Sequence, residues 1–304
     1  MGTPKIAATC LAAILNRGDV EVIAVVTQPD KPVGRKQILT PSEVKVLAMQ
    51  NNIPVLQDAK VSNLYEQIKQ LNPDLIFTCA FGQFVPDKIL EIPKYHCVNL
   101  HASLLPKLRG GAPIQWAIIN QEKTTGFTLM YMAHKMDAGN IIKQYELPIS
   151  KDETYVSLYD KLCHLASDII AKDFNILFDD RLSSIEQDES KVTFGYNNSR
   201  DDEKIDWKKS ADEIDAKVRG LYNKPCAYAL IDNNIVKIRK TNVIEQYPDA
   251  IPGLILSIDK NGINVSTGNK VLNIVEIQLA GKKPCLIKDI VNGNHPFKVG
   301  KLFN

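Results

Sequence analysis

No two of the six cysteines, Cys10, Cys79, Cys97, Cys163, Cys226 and Cys285, stand in C-x-x-C spacing, so neither a zinc knuckle nor a secreted disulfide framework is written into the chain. Reduced, mostly buried thiols are expected. The apolar stretch nearest the start, Ile6 to Leu15, is too short to span a bilayer and runs into Asn16-Arg17-Gly18, which reads as a helix end. Position 6 is Ile rather than Ser or Thr, against myristoylation of Gly2, and the residues before Cys10 do not form a lipoprotein cleavage site. A cytoplasmic location is therefore expected. No G-x-G-x-x-G follows a strand-like run and no G-x-x-x-x-G-K-[ST] is present. Dinucleotide-dependent oxidoreductase and nucleoside triphosphatase chemistry each lack their phosphate cradle.

What is present is a chain of 304 residues, 44% hydrophobic, which can bury a core and exceeds a comfortable small domain, so two domains are the better expectation. Val20 to Val26, Asp74 to Cys79 and Tyr95 to Leu100 read as buried strands. Helix-like segments such as Ser42 to Asn51 and Leu64 to Leu71 separate them, an alternation that implies an α/β fold with an open, Rossmann-like parallel sheet. From about Arg181 to Arg200 the chain turns polar without any sustained period, which reads as a linker. Beyond it, a helix over Ser210 to Leu221 leads into short alternating runs at Ala227–Asp232, Ile235–Thr241, Gly253–Ile258, Ile263–Thr267 and Val271–Ile277. Asp-Asn, Asn-Gly and Gly-Asn turns divide them, and a small β-barrel fits that pattern. The expected organisation is residues 1–180 as a catalytic domain, 181–204 as a linker and 205–304 as the barrel.

The run Asn99-Leu-His101-Ala-Ser103-Leu-Leu-Pro106, with Asp137-Ala-Gly139 further on, carries the chemistry. In a strand, alternate side chains share a face, so Asn99 and His101 project together roughly 6.6 Å apart along the backbone. An amide donates to an oxygen that is gaining charge without changing its own protonation state, and a donor of this kind typically contributes about 3 to 4 kcal/mol. Imidazole can carry a proton to the same oxygen, and a carboxylate such as Asp137 can fix its ring. Together these describe acyl-type transfer, with Asn99, His101 and Asp137 as the candidate catalytic residues. A lone Asn-x-His is ordinarily the hydrogen-bonded end of a sheet; the aperiodic run from Ser103 to Trp116, which reads as a pocket-shaping loop before a helix, is what raises it above that. The rival is a metal site built from His96, His101, His134 and Asp137. Because His96 and His101 have opposite strand parity, and His134 lacks H-x-H or H-E-x-x-H spacing, no metal is expected.

Over nearly its whole length the chain resembles the folate-dependent formyltransferases. The family's Asn-x-His-x-Ser-Leu-Leu-Pro, Arg-Gly-x-Ala-Pro-Ile-Gln and Asp-x-Gly patterns stand at Asn99 to Pro106, Arg109 to Gln115 and Asp137 to Gly139. Gly2-Thr3-Pro4, Thr27-Gln28-Pro29-Asp30 with Gly34-Arg35, Ile205-Asp206-Trp207 and Ala280-Gly281-Lys282-Lys283 agree in order and spacing. The chain departs from the pattern at Ile6, where an aromatic is usual, and at Lys224-Pro225-Cys226, where Trp-Pro is usual. The family also carries a strand ahead of Gly-Thr-Pro, whereas only Met1 precedes Gly2 here. That predicts a central sheet position without its strand, with Met1 an internal methionine of a longer gene product.

The resemblance implies transfer of a formyl group from 10-formyltetrahydrofolate, as formyl donor, to the α-amine of methionine esterified to initiator tRNA, in translation initiation. It implies Ser103, Leu104, Leu105 and Pro106 as lining of the folate pocket, with Phe81 to Phe84 as a further source of backbone contacts to the pterin. Lys31, Arg35 and Lys36, which in isolation read as a mobile charged loop, become tRNA contacts. The C-terminal barrel becomes OB-like and tRNA-binding, which suits its 15 Lys and Arg against 10 Asp and Glu from Ile205 onward. A monomer without membrane attachment is expected. Relatives that act on glycinamide ribonucleotide or on amino-sugar nucleotides share the same three side chains, and a non-catalytic RNA-binding module is the reading from another class.

Overall fold

A computed structural model describes residues 1–34, 36–179 and 181–304, in two units. Unit 1 is made of Met1–Pro113, Thr124–Pro148 and Tyr159–Tyr196; unit 2 is made of Ile114–Lys123, Ile149–Leu158 and Asn197–Asn304. In unit 1 the helix Lys5–Leu15 buries Ile6, Ala7, Cys10, Leu11, Ala13 and Ile14, the stripe that a 3.6-residue period places on one face. Short strands follow: β1 (Val25–Thr27), β2 (Lys31–Val33), β3 (Ile38–Thr40), β4 (Val55–Gln57), β5 (Ile76–Thr78), β6 (Cys97–His101), β7 (Thr124–Tyr131) and β8 (Ile141–Pro148). β1 pairs with β4 and β5 with β6 in parallel, as the strand–helix alternation requires. The sheet then continues antiparallel through β6–β7 and β7–β8. The turn of nine residues between β7 and β8 holds no helix and is too short for a parallel crossover.

Between β1 and β5 the sheet is bridged by Met1 and Gly2. Gly2 N donates to Val26 O at 3.0 Å and Cys79 N to Met1 O at 3.1 Å, and the Met1 nitrogen donates to Phe77 O at 2.6 Å. Beyond that bridge lies a cavity of about 710 Å³, bordered by residues 19–26, residues 71–77 and Met1. Residues 20–24 and Leu75, expected in the strands, border this cavity and fall outside any ladder. β1 and β5 are three residues each.

Unit 2 builds an antiparallel sheet in the order β11–β12–β13–β10–β9 from β9 (Ala227–Ile231), β10 (Asn234–Ile244), β11 (Ile255–Asp259), β12 (Gly262–Ser266) and β13 (Val271–Leu279), with β14 (Cys285–Leu286) on β13. No ladder joins β9 to β11 among the described residues. The terminal segment spans that gap instead. Ile255 N donates to Lys301 O at 2.9 Å and Phe303 N to Gly253 O at 2.9 Å, while Leu230 and Asn304 exchange both backbone bonds at 2.7 and 2.9 Å. The enclosed core gathers Ile214, Val218, Leu221, Ile238, Val265, Ile274 and the aromatic rings of Trp207 and Phe303, which stack with centroids 5.3 Å apart. The helix Ala211–Gly220 that covers it begins at a reciprocal Ser210–Glu213 cap, as a Ser-x-x-Glu start should.

Phe303 therefore fills the core while its backbone holds the bridging segment. Phe303→Ala is expected to destabilise unit 2 by about 3–5 kcal/mol, the usual cost of emptying a buried phenylalanine site. Denaturant unfolding followed through tryptophan fluorescence measures it, and an unshifted midpoint would contradict this role for the terminal segment.

Candidate functional site

Asn99 and His101 lie on β6, between β5 and β7, and share one face of the strand. Thr78 is the register partner of Asn99 on β5, and its hydroxyl lies 2.9 Å from Asn99 Oδ1 and 3.1 Å from Val98 O. With Oδ1 facing that hydroxyl, the Asn99 Nδ2 donors remain uncommitted. His101 is buried. Its Nε2 donates to Leu108 O at 3.0 Å, and because a carbonyl only accepts, the proton belongs on Nε2. Nδ1 then faces Asp137, 3.6 Å from Oδ1, a spacing that makes an ion pair with the charged ring rather than a hydrogen bond. The two side chains are only 7% and 14% exposed, so this charge contact is weakly screened.

Asp137 reaches that position from the turn between β7 and β8. Its backbone is left-handed, with φ +51°, and Ala138 N closes the turn on Lys135 O at 3.2 Å. Gly139 is needed because a Cβ there would stand 1.9 Å from Tyr131 O. The second carboxylate oxygen, Oδ2, accepts from Gly110 N at 2.9 Å. Gly110 itself has φ +123°, and a Cβ on it would meet Gly195 O at 2.8 Å. The Asp-x-Gly and Arg-Gly patterns thus meet at one carboxylate, and the three candidates Asn99, His101 and Asp137 are brought together.

The Ser103–Ala112 run is held on two sides. Thr128 Oγ1 donates to Ser103 O at 2.7 Å and accepts from Leu105 N at 3.0 Å, and Gln144 Nε2 adds bonds to Leu105 O at 2.8 Å and to Thr128 Oγ1 at 3.0 Å. On the other side Thr193 takes Leu108 N on its hydroxyl and Arg109 N on its carbonyl, each at 2.9 Å. Gly195 exchanges bonds with Arg109 O and Ala112 N at 2.8 Å. Ser103 and Leu105 are buried, with the Ser103 hydroxyl given to Lys107 O at 2.6 Å; Leu104 and Pro106 keep accessible surface. Nearby, the carbonyls of Phe81 and Gly82 accept from Gln28 Nε2 at 3.2 and 2.9 Å.

Arg109 is fully buried. Its Nε and one terminal nitrogen donate to Gln187 Oε1 at 3.0 and 2.8 Å, and that nitrogen also reaches Glu189 at 2.7 Å. The Arg109 guanidinium and the Lys135 ammonium hold the Glu189 carboxyl down to about 2. Gln187, Glu189, Thr193 and Gly195 all come from the stretch expected to be a linker, which as far as Tyr196 belongs to unit 1. Gln187, Glu189 and Thr193 spend their side chains on Arg109 and the loop amides; composition alone shows only that they are polar.

Lys31 lies on β2 and gives its ammonium to Gln28 Oε1 at 2.6 Å; Lys36 is exposed in the turn before β3, and Arg35 falls outside the described residues. The β2–β3 hairpin also exposes Val33, Ile38 and Leu39, so it offers apolar surface where the sequence showed a charge cluster. His134 pairs with Asp87 at 3.1 Å and the His96 ring packs edge-on against Tyr131. Among the described residues no group of three or more His, Cys, Asp and Glu side chains could hold a metal ion. The 710 Å³ cavity does not include Asn99, His101 or Asp137 in its lining. No helix of the described residues is long and apolar enough to cross a membrane.

Thr128 serves three polar partners at once, so Thr128→Val leaves Leu105 N buried without an acceptor other than solvent it cannot reach. A loss of about 1–3 kcal/mol is expected, read from denaturant midpoints. A neutral substitution would show that the Ser103–Pro106 segment does not depend on this hydroxyl.

Comparison with known proteins places these features in one lineage. Residues 1–173 match the formyl transferase family and residues 198–295 match the formyl transferase C-terminal domain. A methionyl-tRNA formyltransferase of Malacoplasma penetrans is 45% identical over 300 residues, covering 99% of this chain and 94% of the relative. One from Bacillus cytotoxicus is 46% identical over 286 residues, covering 93% and 91%. Among solved structures, the sugar 3N-formyl transferase WlaRD aligns with TM-score 0.66 at 24% identity, over 93% of this chain and 97% of that one. The N-formyltransferase of Helicobacter canadensis, solved with folinic acid and dTDP-3-aminofucose, aligns with TM-score 0.67 at 23% identity, over 90% and 97%; these two likenesses speak for the fold. With both domain models matched in order along the chain and relatives of 45% and 46% identity over nearly all of it, the chain belongs to the formyl transferase family.

Proposed function

We propose that this chain transfers a formyl group from 10-formyltetrahydrofolate to the α-amine of methionine carried on initiator tRNA, the modification that readies that tRNA for translation initiation. The relatives of 45% and 46% identity bear the name of that activity along nearly the full chain, whereas the sugar formyltransferases share only 24% and 23%. The single observation that carries the chemistry is the Asp137 carboxylate set 3.6 Å from His101 Nδ1, one strand position pair away from the uncommitted amide of Asn99.

The attacking group needs little help to become nucleophilic. An α-amine has a reference pKa of about 7.7, so much of it is neutral at physiological pH. Its lone pair forms a bond to the formyl carbon, and the carbonyl pair moves onto oxygen. Asn99 Nδ2 donates to that oxygen, and His101 does so through Nε2–H by exchanging the Leu108 carbonyl for the reacting oxygen. The Asp137 carboxylate, 3.6 Å from Nδ1, keeps the ring oriented for that bond. When the carbonyl re-forms, the bond to N10 breaks, and N10 takes up the proton that the attacking nitrogen has lost. Leu104 and Pro106 supply accessible apolar surface to the folate, with Ser103 and Leu105 fixing their backbone. Residues 205–304, together with Lys31, Arg35 and Lys36, hold the tRNA, where an excess of basic side chains favours a polyphosphate backbone.

Incubating formyl-labelled donor with methionyl-tRNA, an amino-sugar nucleotide or glycinamide ribonucleotide tests the acceptor. Label is expected on methionyl-tRNA; label on either of the others, or on none, contradicts the proposal. Asn99→Ala and His101→Ala are each expected to lower kcat by about 10²–10³-fold, the usual loss for one oxyanion donor, with folate affinity nearly unchanged because both act on charge that develops during reaction. Single-turnover rates beside folate titrations separate the two effects, and wild-type turnover in either variant removes that residue from the mechanism.

A further inference from the structure

Gln187 stands fifty residues from Asp137 in sequence and no part of the chemistry above uses it. Its side chain is 6% exposed and every bond of its amide goes to the two segments that carry the site. Oε1 accepts from Arg109 Nε at 3.0 Å and from a terminal Arg109 nitrogen at 2.8 Å. Nε2 donates to Asp137 O at 2.9 Å and to Gly139 O at 2.8 Å. This orientation has no alternative, since a guanidinium only donates and main-chain carbonyls only accept. One amide thus ties the 105–112 loop to the 137–139 turn. The loop in turn supplies both the Gly110 amide that holds Asp137 Oδ2 and the Leu108 carbonyl that holds His101 Nε2.

We propose that Gln187 is a positioning residue for formyl transfer, clamping the left-handed Asp137 turn to the Arg109 loop so that the Asp137 carboxylate stays on the His101 ring. The proposal rests on the reading that Asp137 serves the reaction through His101. The turn has reason to need a clamp. Asp137 has φ +51°, a backbone region that costs a residue with a side chain some stability, less for Asp than for most. Arg109 gives the clamp a rigid anchor, being fully buried and held in addition by Glu189, whose other oxygen binds Lys135 at 2.9 Å.

Two substitutions break the clamp differently. Gln187→Met keeps the length and removes every bond. Gln187→Glu keeps the acceptor for Arg109, with an added charge, but turns an acceptor oxygen toward the carbonyls of Asp137 and Gly139. Each is expected to lower kcat by about 10–100-fold, the scale set by small displacements of reacting groups, while KM for the folate donor stays within about 2-fold. The decisive measurement is a double-mutant cycle on kcat with Asp137→Asn, with circular dichroism confirming that each variant is folded. If Gln187 acts through Asp137, Gln187→Met costs less than about 2-fold further in the Asp137→Asn background. Losses that multiply show that Gln187 acts independently of Asp137 and overturn the proposal. Wild-type kcat in both Gln187 variants, with Asp137→Asn impaired, also overturns it and leaves the reading of Asp137 standing. Wild-type kcat in Asp137→Asn removes that reading and the proposal with it. If Gln187→Met is unfolded, Gln187→Glu carries the same cycle.

Discussion

The carboxylate of Asp137 is shared between a main-chain amide and an imidazole, and the arrangement of unit 1 around β6 follows from that sharing. Oδ2 is held at 2.9 Å by Gly110 N and Oδ1 stands 3.6 Å from His101 Nδ1. Each end constrains a different segment. Gly110 must lack a Cβ to lie against Gly195, Gly139 must lack one to pass Tyr131 O, and the loop before Gly110 must deliver the Leu108 carbonyl to the other nitrogen of the ring. A shift of any one of these moves the other two. The pair is also poorly hydrated, so the attraction between carboxylate and charged ring is screened far less than on a surface.

Support for that contact is spread along the chain rather than along β6. Thr78 faces the Asn99 amide from β5, Thr128 and Gln144 hold the start of the loop from β7 and β8, and Thr193 and Gly195 hold its end. Most of these partners are neutral groups hydrogen-bonded to main chain, which fixes position without placing competing charge beside the ring. The ionic anchor, Arg109 with Glu189, lies behind the loop. There Glu189 is exposed to solvent on one side and pairs with Lys135.

Much of this was legible in the sequence, for reasons that can be named. A period of two put Asn99 and His101 on one face, and Asp137 was picked out as the carboxylate beside the His101 ring. The helix at residues 5–15 and the alternating strands beyond Ala227 followed from apolar period. What was not legible depends on partners distant in sequence. The polarity of Gln187, Glu189 and Thr193 looks like solvated linker until Arg109 and the loop amides are placed beside them. Likewise the backbone of residues 300–304 bridges β9 and β11, though the segment has too little alternation to read as a strand. In the β2–β3 hairpin the sequence drew attention to the charges, and the exposed Val33, Ile38 and Leu39 went unread.

The tautomer of His101 tests the central contact most directly. If Leu108 O holds one side of the ring and Asp137 the other, nitrogen-15 NMR of the folded chain finds the neutral His101 ring protonated at Nε2 and bare at Nδ1. A neutral ring protonated at Nδ1, or one averaging between both forms, would mean that the Leu108 carbonyl does not hold Nε2 and that the ring is not oriented toward Asp137 as described.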